Sequence, residues 1–268
     1  MRRIEDYVAA NREAWNEVAP RHAAHNQQRL KALFAGGGYN HLADEYVAML
    51  ERIGVAGKSV VQVCCNNGID LLSARGMGAG ECLGIDQAPA FLEQARELAA
   101  VAGHGDVSFM EANVYELPDA LAGRFDIAMT TIGVTGWMPD ITAFFETVAG
   151  LVKPGGYWVM EEMHPVLLMY EPDPDGGPSK LVHSYFTQEP YVEEGGLDYF
   201  GHETYAAQPA YSFSYTMAAI VNAGIGAGLE LLSMVEVGRN ISNYCADLED
   251  VRATPPMGVY ILWRKKAG

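Results

Sequence analysis

The stretch VVQVCCNNGID, Val60 to Asp70, decides how the rest of the sequence is interpreted. Its apolar residues are typical of a short buried strand, the small polar residues after them of a tight turn, and Ile69 of the start of a helix. A strand, a tight turn and a helix in this order form the usual binding site for a nucleotide. Such turns often contain three glycines, whereas only Gly68 is a glycine here. The stretch therefore predicts a ligand-binding turn that is built mostly without glycine.

Strands and helices are predicted to alternate after this turn. This alternation favours an α/β fold with a doubly wound, mostly parallel, seven-stranded sheet and helices on both faces. The predicted strands are 59–64, 81–86, 107–110, 125–131, 157–162, 230–237 and 257–263, and the predicted helices are 4–20, 41–53, 69–75, 89–102, 140–151 and 215–229.

The sequence predicts a single domain in four segments. Residues 1–57 have the apolar periodicity of helices and are expected to form a helical cap. Residues 58–162 hold the ligand-binding half of the sheet. Residues 163–214 are rich in proline, glycine and tyrosine, which predicts an aromatic-rich lid inserted after strand five. Residues 215–268 supply a closing helix and the last two strands.

Composition excludes several classes of function. The chain has 34 acidic and 18 basic residues, and its net charge of −16 disfavours a nucleic-acid partner. No apolar run approaches the roughly 18 residues of a membrane span, and the N-terminus lacks the apolar segment of a signal peptide. We therefore expect a cytoplasmic protein with no membrane partner. The four cysteines form no C-x-x-C pair, and the histidines of the lid (His164, His183 and His202) match no metal-binding spacing, so no metal is predicted.

Polar side chains follow the ends of the predicted strands, which is where an open parallel sheet binds its ligands. Asp86 ends the second strand, 18 residues beyond Gly68, and its carboxylate can accept hydrogen bonds from both hydroxyls of a ribose. Asn113 ends the third strand, where its amide can accept from an adenine amino group. No Gly-x-Gly-x-x-Gly motif is present to hold a pyrophosphate. A nucleoside without phosphates therefore fits best.

At these residues the sequence resembles the class I methyltransferases that use S-adenosyl-L-methionine. VVQVCCNNG stands at the family's first motif, CLGIDQAPAFLEQARELA at its second and VSFMEANVYELP at its third, and the segment from FDIAMTT to the KPGG turn and EEMHP resembles its fourth and fifth strands. The resemblance extends from about Ser59 to Trp263 and implies a Rossmann-like fold with S-adenosyl-L-methionine as cofactor. The cofactor-binding residues that it implies are Gln62, Cys64, Cys65, Asn66, Asn67, Gly68, Asp86, Gln87, Asn113, Val114, Thr131 and Ile132.

The first motif departs from the family pattern at three positions. Gln62 replaces an acid that helps, in the family, to order the amino-acid end of the cofactor; an amide can do this by hydrogen bonds, but without charge. Cys64 and Asn66 replace two glycines. Cys64 is small, and Asn66 and Asn67 tolerate left-handed backbone better than other non-glycine residues. We therefore expect a working cofactor turn.

Tyrosines are concentrated in the lid, where eight of the chain's 14 lie between Tyr157 and Tyr215. They predict an aromatic-lined pocket for a small aromatic or cationic methyl acceptor. A sheet extension or a homodimer interface explains them equally well. The candidate substrate-binding residues are Tyr7, Trp15, Trp137, Tyr185, Tyr199 and Tyr215.

His164 is the first candidate for a catalytic base, because it directly follows strand five and a histidine can take up a proton near neutral pH. The alternative is a histidine that caps the strand end or forms hydrogen bonds within the lid. Glu162, two residues earlier, is the second candidate.

These observations predict a methyltransferase that acts on O or N of a small, aromatic metabolite, in secondary metabolism. Other uses of the same cofactor, such as cyclisation or aminocarboxypropyl transfer, remain open. Gln62 and Asn66 also leave open a non-catalytic binding protein on the same scaffold. A nicotinamide-dependent dehydrogenase is disfavoured because the glycine fingerprint is missing.

Overall fold

The computed structural model describes residues 3–201 and 204–267. The strands are β1 (Val60–Val63), β2 (Cys82–Asp86), β3 (Ser108–Glu111), β4 (Phe125–Thr130), β5 (Val152–Met163), β6 (Tyr170–Glu171), β7 (Lys180–Leu181), β8 (Tyr191–Glu193), β9 (Ala210–Ser212), β10 (Leu229–Val237) and β11 (Gly258–Lys265). The helices are α1 (Ile4–Ala35), α2 (Asp44–Ile53), α3 (Ile69–Gly76), α4 (Pro89–Val101), α5 (Ile141–Leu151) and α6 (Met217–Gly226).

One seven-stranded sheet organises the molecule, in the order β10-β11-β5-β4-β1-β2-β3. The five strands from β5 to β3 pair in parallel, and β11 runs antiparallel between β5 and β10. The strand order reverses between β1 and β4, so the carboxyl ends of these two strands open a crevice where α/β folds bind ligands. The predicted doubly wound sheet of seven strands is confirmed.

Helices cover both faces of the sheet, as its sequence pattern requires. All four residues of β1 are buried, because a parallel strand between two helical layers has no exposed face. On one face, Phe144 and Phe145 of α5 pack against Trp158 of β5. On the other, Leu50 of α2 and Leu71 of α3 join the core beside β1. None of the helices formed by the described residues combines the length and apolar character that a membrane crossing requires.

The helical cap differs from its predicted bounds. The helix expected to end at Pro20 continues to Ala35, with Pro20 inside it. A proline within a helix removes one backbone donor, but this loss is offset by packing: Val18, Ala19 and Leu30 of α1 are buried against the domain. The second helix ends as predicted, with Gly54 in the left-handed conformation at φ 70°.

The lid consists of two small antiparallel hairpins, β6–β7 and β8–β9, rather than an extension of the main sheet. It is also joined by a segment that the sequence did not assign to it. Residues 238–257, between β10 and β11, pack against it: the Tyr244 hydroxyl donates to the Tyr170 carbonyl at 2.7 Å, and the Ser179 hydroxyl donates to Asp247 at 2.5 Å. The predicted segment 215–268 therefore contributes to the lid as well as closing the sheet.

Candidate functional site

The turn after β1 has a left-handed backbone at every second residue. Cys64, Asn66 and Gly68 have φ values of 53°, 50° and 75°, and Asn67 is not left-handed. These are the three positions at which the class I methyltransferases that the sequence resembles have glycine. The side chain of Asn66 supports the turn by accepting a hydrogen bond from the Asn67 backbone N–H at 2.7 Å. The turn thus keeps the glycine conformation with two non-glycine residues.

Asp86, at the end of β2, is held beside this turn by two backbone donors. Its Oδ2 accepts from the Asn66 N–H at 2.8 Å and its Oδ1 from the Ala88 N–H at 2.9 Å. Burial raises the pKa of this carboxyl group, and the two hydrogen bonds oppose that rise. Each carboxylate oxygen has a second lone pair, so Asp86 can still accept from two ligand hydroxyls.

A cavity of about 1160 Å³ opens over these residues at the carboxyl ends of the strands. Asn113 contributes a side-chain amide to the wall. Its Oδ1 already accepts one hydrogen bond, from the Tyr115 N–H at 3.1 Å, and keeps a second lone pair. Of the predicted cofactor-binding residues, the structure places Cys64, Cys65, Asn66, Asn67, Asp86, Gln87, Asn113, Val114, Thr131 and Ile132 along its wall.

Gln62 and Gly68 do not line this cavity. A Cβ atom at Gly68 would lie 2.9 Å from the Phe109 ring, so this glycine allows α3 to pack closely on β3. Gln62 is buried within the sheet, and its Nε2 donates to the Thr131 hydroxyl at 3.1 Å. That hydroxyl donates in turn to Asp70 at 2.8 Å. Asp70 also lines the cavity and was not predicted from the sequence.

Helix α1 is fastened above the cavity by polar side chains. Arg12 donates to the Gln87 carbonyl at 3.0 Å and to Glu111 at 2.6 Å, at the ends of β2 and β3. Asn11, also on α1, is buried and forms two hydrogen bonds with the backbone of Tyr211 in β9, at 2.7 and 2.8 Å. One helix therefore connects the sheet below the cavity with the lid above it.

Part of the cavity wall is an aromatic chamber formed by Trp15, His22, Phe91, Trp137 and Tyr199. Trp15 is at its centre, with ring centroids 5.0 Å from Trp137 and 6.4 Å from Tyr199, in edge-to-face geometry. His22 Nε2 donates to the Leu197 carbonyl at 2.9 Å, and burial lowers the pKa of this histidine. The chamber therefore presents apolar and neutral ring surfaces to a ligand.

His22 and Phe91 were missed from the sequence. Trp15 and His22 are seven residues apart, which places them on the same face of a helix. A helix predicted to continue through Pro20 would have revealed the pair. Phe91 carried no signal beyond its apolar position in α4.

Three of the predicted substrate-binding tyrosines lie outside the cavity wall. Tyr7 packs edge-on against Tyr211 and Phe213. The Tyr185 hydroxyl accepts from the backbone of residue 217 at 2.8 Å. Tyr215 donates to the Met138 carbonyl and packs on the core. These residues support the lid and the loop beneath it, whereas Trp15, Trp137 and Tyr199 line the cavity.

His164 is also placed outside the cavity wall. It is 3% exposed, with Nε2 bonded to Glu236 at 2.8 Å and Nδ1 accepting from the Val166 N–H at 3.1 Å. Burial lowers its pKa, against the effect of Glu236. Both ring nitrogens have partners within the protein, Glu236 in β10 and the Val166 N–H just after β5, as in the alternative in which this histidine caps the strand end.

Glu162 is a buried organiser of the loop after β4. Its Oε1 accepts from the N–H groups of Gly133 and Met163 at 2.7 and 2.9 Å. Its Oε2 accepts from the N–H and the hydroxyl of Thr135, both at 2.8 Å. The short helical turn fixed in this way, Thr135–Trp137, carries Trp137 to the chamber. Glu162 therefore positions an aromatic wall and does not itself line the cavity.

Of the lid histidines, His183 is bonded to Glu171 at 2.6 Å, and His202 lies outside the described residues. Within the described ranges, no three His, Cys, Asp or Glu side chains are grouped in a way that could hold a metal ion.

The polar groups along the cavity fit a nucleoside better than a nucleotide. Asp86 offers carboxylate oxygens and Asn113 an amide at the edge of the sheet, as ribose and adenine require. The only arginine or lysine on the cavity wall is Arg29, among the residues that the structure describes. A phosphate group would therefore meet few cations, whereas a ribose with a neutral or cationic 5′ substituent would be accepted.

Comparisons with known proteins agree with this geometry. Residues 60–156 match a family described as "Methyltransferase domain". The chain is 34% identical over 127 residues to a ubiquinone biosynthesis O-methyltransferase of Alkalilimnicola ehrlichii, covering 47% of this chain and 49% of that protein. It is 36% identical over 104 residues to one of Acinetobacter baylyi, covering 39% and 43%. The chain thus spans about half the length, or less, of these curated relatives.

Known structures share the fold over a longer range. An S-adenosylmethionine-dependent methyltransferase of Mesorhizobium loti superposes with a TM-score of 0.63 at 20% identity, over 83% of this chain and 98% of that one. A geranyl diphosphate C-methyltransferase of Streptomyces coelicolor, in complex with S-adenosyl-L-homocysteine, superposes with a TM-score of 0.58 at 14% identity, over 82% and 78%. The motifs and the sheet order agree with these matches: residues 60–156 are similar to the methyltransferase domain family, and the chain has the fold of the S-adenosylmethionine-dependent methyltransferases.

Proposed function

We propose that this chain transfers a methyl group from S-adenosyl-L-methionine to an O or N atom of a small metabolite. The observation that carries the proposal is the continuity of the site: the Asp86 turn and the aromatic chamber are parts of one cavity. A nucleoside cofactor bound at the strand ends would therefore share this cavity with an acceptor held among the aromatic rings. An aromatic or cationic acceptor, such as an intermediate of secondary metabolism, suits these walls best.

The residues of this chain would act mainly by binding and orientation. Asp86 would hold the ribose, and Asn113 and Val114 would face the adenine. When bound, S-adenosyl-L-methionine supplies an electrophilic methyl group. Trp15, Trp137 and Tyr199 would hold the acceptor against it and exclude water, and proximity of this kind lowers the barrier of a displacement reaction.

The placement of the two predicted bases argues against proton transfer by either. The nitrogens of His164 and the oxygens of Glu162 are bonded within the protein. An acceptor that presents a neutral amine, or a hydroxyl that is already ionised, would need no base. This agrees with a mechanism that depends on positioning.

Calorimetric titration with S-adenosyl-L-homocysteine tests the cofactor part of the proposal. We expect the wild-type protein to bind it and Asp86→Ala to lose binding by roughly 100-fold or more, because two charge-assisted hydrogen bonds to the ribose are removed. Asp119→Asn, an exposed carboxylate outside the cavity, is the charge-matched control and should bind as the wild type does. A folded wild-type protein that does not bind would favour a non-catalytic protein on the same scaffold.

Incubation with S-adenosyl-L-methionine and a panel of phenols and amines tests the reaction. Methyl transfer adds one CH₂ unit to the acceptor mass and releases S-adenosyl-L-homocysteine in equal amount. Release of methylthioadenosine instead would identify cyclisation or aminocarboxypropyl transfer and contradict the proposal.

We also propose that the protein is cytoplasmic and forms a homodimer through the lid. The four cysteines are free thiols, as in a reducing compartment. Leu181, Val182 and Phe186 expose 61%, 55% and 75% of their surface, and a second copy of the chain would cover them. Light scattering of wild type and Phe186→Ser tests the dimer, which a monomeric wild-type protein would contradict.

A further inference from the structure

Gln62 leaves the cofactor turn without the carboxylate that its position in the first motif suggests. Its side chain is 1% exposed, does not line the cavity and donates to Thr131 at 3.1 Å, and its Oε1 has no hydrogen-bond partner among the described residues. Gln62 therefore cannot supply charge to a ligand and does not reach one. Its amide serves to hold the Thr131 hydroxyl.

The hydrogen-bond directions beyond Gln62 are fixed by chemistry. An amide NH₂ group can only donate, so the Thr131 oxygen accepts from Gln62. The single hydroxyl hydrogen is then free to point to Asp70 Oδ2, 2.8 Å away. Gln62 and Thr131 thus orient the Asp70 carboxylate as an acceptor, with lone pairs left for a further donor.

Asp70 is placed to use those lone pairs on a ligand. It lies in the first turn of α3, where the partial positive charge of a helix start favours a carboxylate. It lines the cavity, is only partly exposed and forms no ion pair with any other described residue. A carboxylate held in place without a cation, inside a binding cavity, is suited to a cationic ligand group.

The sheet order shows which part of the ligand reaches Asp70. Adenine and ribose are assigned to the ends of β3 and β2, at Asn113 and Asp86, and the next strands are β1 and β4. The 5′ substituent of the nucleoside must therefore extend towards β1 and β4. Thr131 follows β4, and Asp70 follows the turn after β1. The 5′ substituent of S-adenosyl-L-methionine ends in an α-ammonium and an α-carboxylate group.

We propose that Asp70, held by Thr131 and Gln62, binds the α-ammonium group of the cofactor. The proposal rests on the proposed function and deepens it, because it moves the ionic contact from position 62 in β1 to position 70 in α3. It explains why a neutral residue is tolerated at position 62. Asp70 is a binding residue, and Gln62 and Thr131 are positioning residues.

Two ligands and two variants test this assignment by calorimetry. S-Adenosyl-L-homocysteine carries the amino-acid end, and 5′-deoxy-5′-methylthioadenosine has the same nucleoside and a thioether but lacks it. Asp70→Asn keeps an oxygen that can accept from Thr131, so the turn should stay intact. We expect this variant to lower the affinity for S-adenosyl-L-homocysteine by roughly tenfold to 100-fold. Its affinity for 5′-deoxy-5′-methylthioadenosine should fall by less than twofold. Asp119→Asn should change neither.

The outcomes separate this proposal from the proposed function. If Asp70→Asn lowered the affinity for both ligands equally, the assignment would be overturned, since Asp70 would then act on the nucleoside or on the turn. Unchanged affinity for both would also overturn it. A folded wild-type protein that binds neither ligand would overturn the proposed function and this proposal with it.

Discussion

Cys64 and Asn66 adopt backbone conformations that non-glycine residues avoid. A left-handed residue with a Cβ atom costs about 1–2 kcal/mol, although asparagine tolerates it better because its short side chain bonds locally, as Asn66 does with Asn67. Strained residues of this kind persist where the surrounding structure enforces them, which is common at ligand sites. Here Asp86 enforces the turn by accepting from the Asn66 N–H.

Glu161, one residue before the loop organiser Glu162, is expected to make stability depend on pH. Burial raises the pKa of Glu161 to about 7, opposed by a hydrogen bond from the Tyr260 hydroxyl at 2.9 Å; nearby Asp70 and Glu162 raise it further and Arg239 lowers it. The folded protein therefore retains this proton up to a higher pH than the unfolded chain does. Stability contributed by the protonated form is complete below about pH 4.5 and is lost as pH rises towards 7.

Glu161→Gln should remove this dependence. The amide oxygen can still accept from Tyr260, so the variant should gain roughly 1–3 kcal/mol relative to wild type between pH 5 and pH 8. Urea unfolding at both pH values measures the difference. Glu146→Gln, at an exposed position on α5, is the control. Parallel stability curves for wild type and Glu161→Gln would contradict the assignment.

At this scale the sequence predicted residue positions better than residue roles. The spacing of Asp86, Asn113 and Thr131 after their strands is enough to bring them to one cavity, because parallel strands end at the same edge. The partners of His164 could not be predicted, since Glu236 lies 72 residues away in the chain. Asp70 was missed because its importance depends on a hydrogen bond from Thr131, which follows β4 and is 61 residues away in the chain.

The junction of β1 and α3 depends on how closely the helix approaches the sheet. Gly68 starts α3 at φ 75°, and a Cβ atom there would lie 2.9 Å from Phe109 in β3 and 3.1 Å from Ala95 in α4. Gly103, after α4, has a similar φ of 72° but open space around it. Both glycines therefore require a left-handed backbone, and they differ only in the space available for a Cβ atom.

Gly68→Ala should destabilise the protein by at least about 2 kcal/mol more than Gly103→Ala, which should cost only the backbone term of about 1 kcal/mol. Denaturant midpoints of the two variants give the comparison. Equal losses would mean that Phe109 and Ala95 move aside without cost.

Elements with strong local signals were predicted well, and those fixed by distant contacts were not. Apolar strands and capped helices between Val60 and Leu151 match their predicted positions within one or two residues. The continuation of α1 past Pro20 could not be predicted from its local pattern, because it depends on burial against α4 and the lid.

At the scale of the whole molecule, the lid is joined to the rest of the chain at a few specific points. Asn11 is the buried one, with both side-chain polar atoms bonded to the Tyr211 backbone. Glu17, on the same helix, accepts from the Gln208 N–H at 3.1 Å at the exposed surface. A buried backbone group left without a partner costs about 1–3 kcal/mol, which exceeds the value of an exposed contact.

Asn11→Ala should therefore loosen the lid, whereas Glu17→Ala should not. We expect faster proteolytic cleavage within residues 163–214 in Asn11→Ala, and affinity for S-adenosyl-L-homocysteine within about threefold of wild type, because Asp86 and Asn113 are untouched. Limited proteolysis followed by mass mapping measures the first effect and calorimetry the second. Equal cleavage of both variants would show that the Asn11 bonds do not hold the lid.

The position of β11 between β5 and β10 has a consequence for synthesis on the ribosome. The strands that hold Asp86, Asn113 and Thr131 emerge first, whereas the edge of β5 stays unpaired until β11 has left the exit tunnel. Segment 238–257, which packs against the lid, emerges just before it. A nascent chain can thus form the nucleoside half of the cavity before residues 241–244 of the late segment complete its wall, and the exposed β5 edge would be the part that chaperones need to protect.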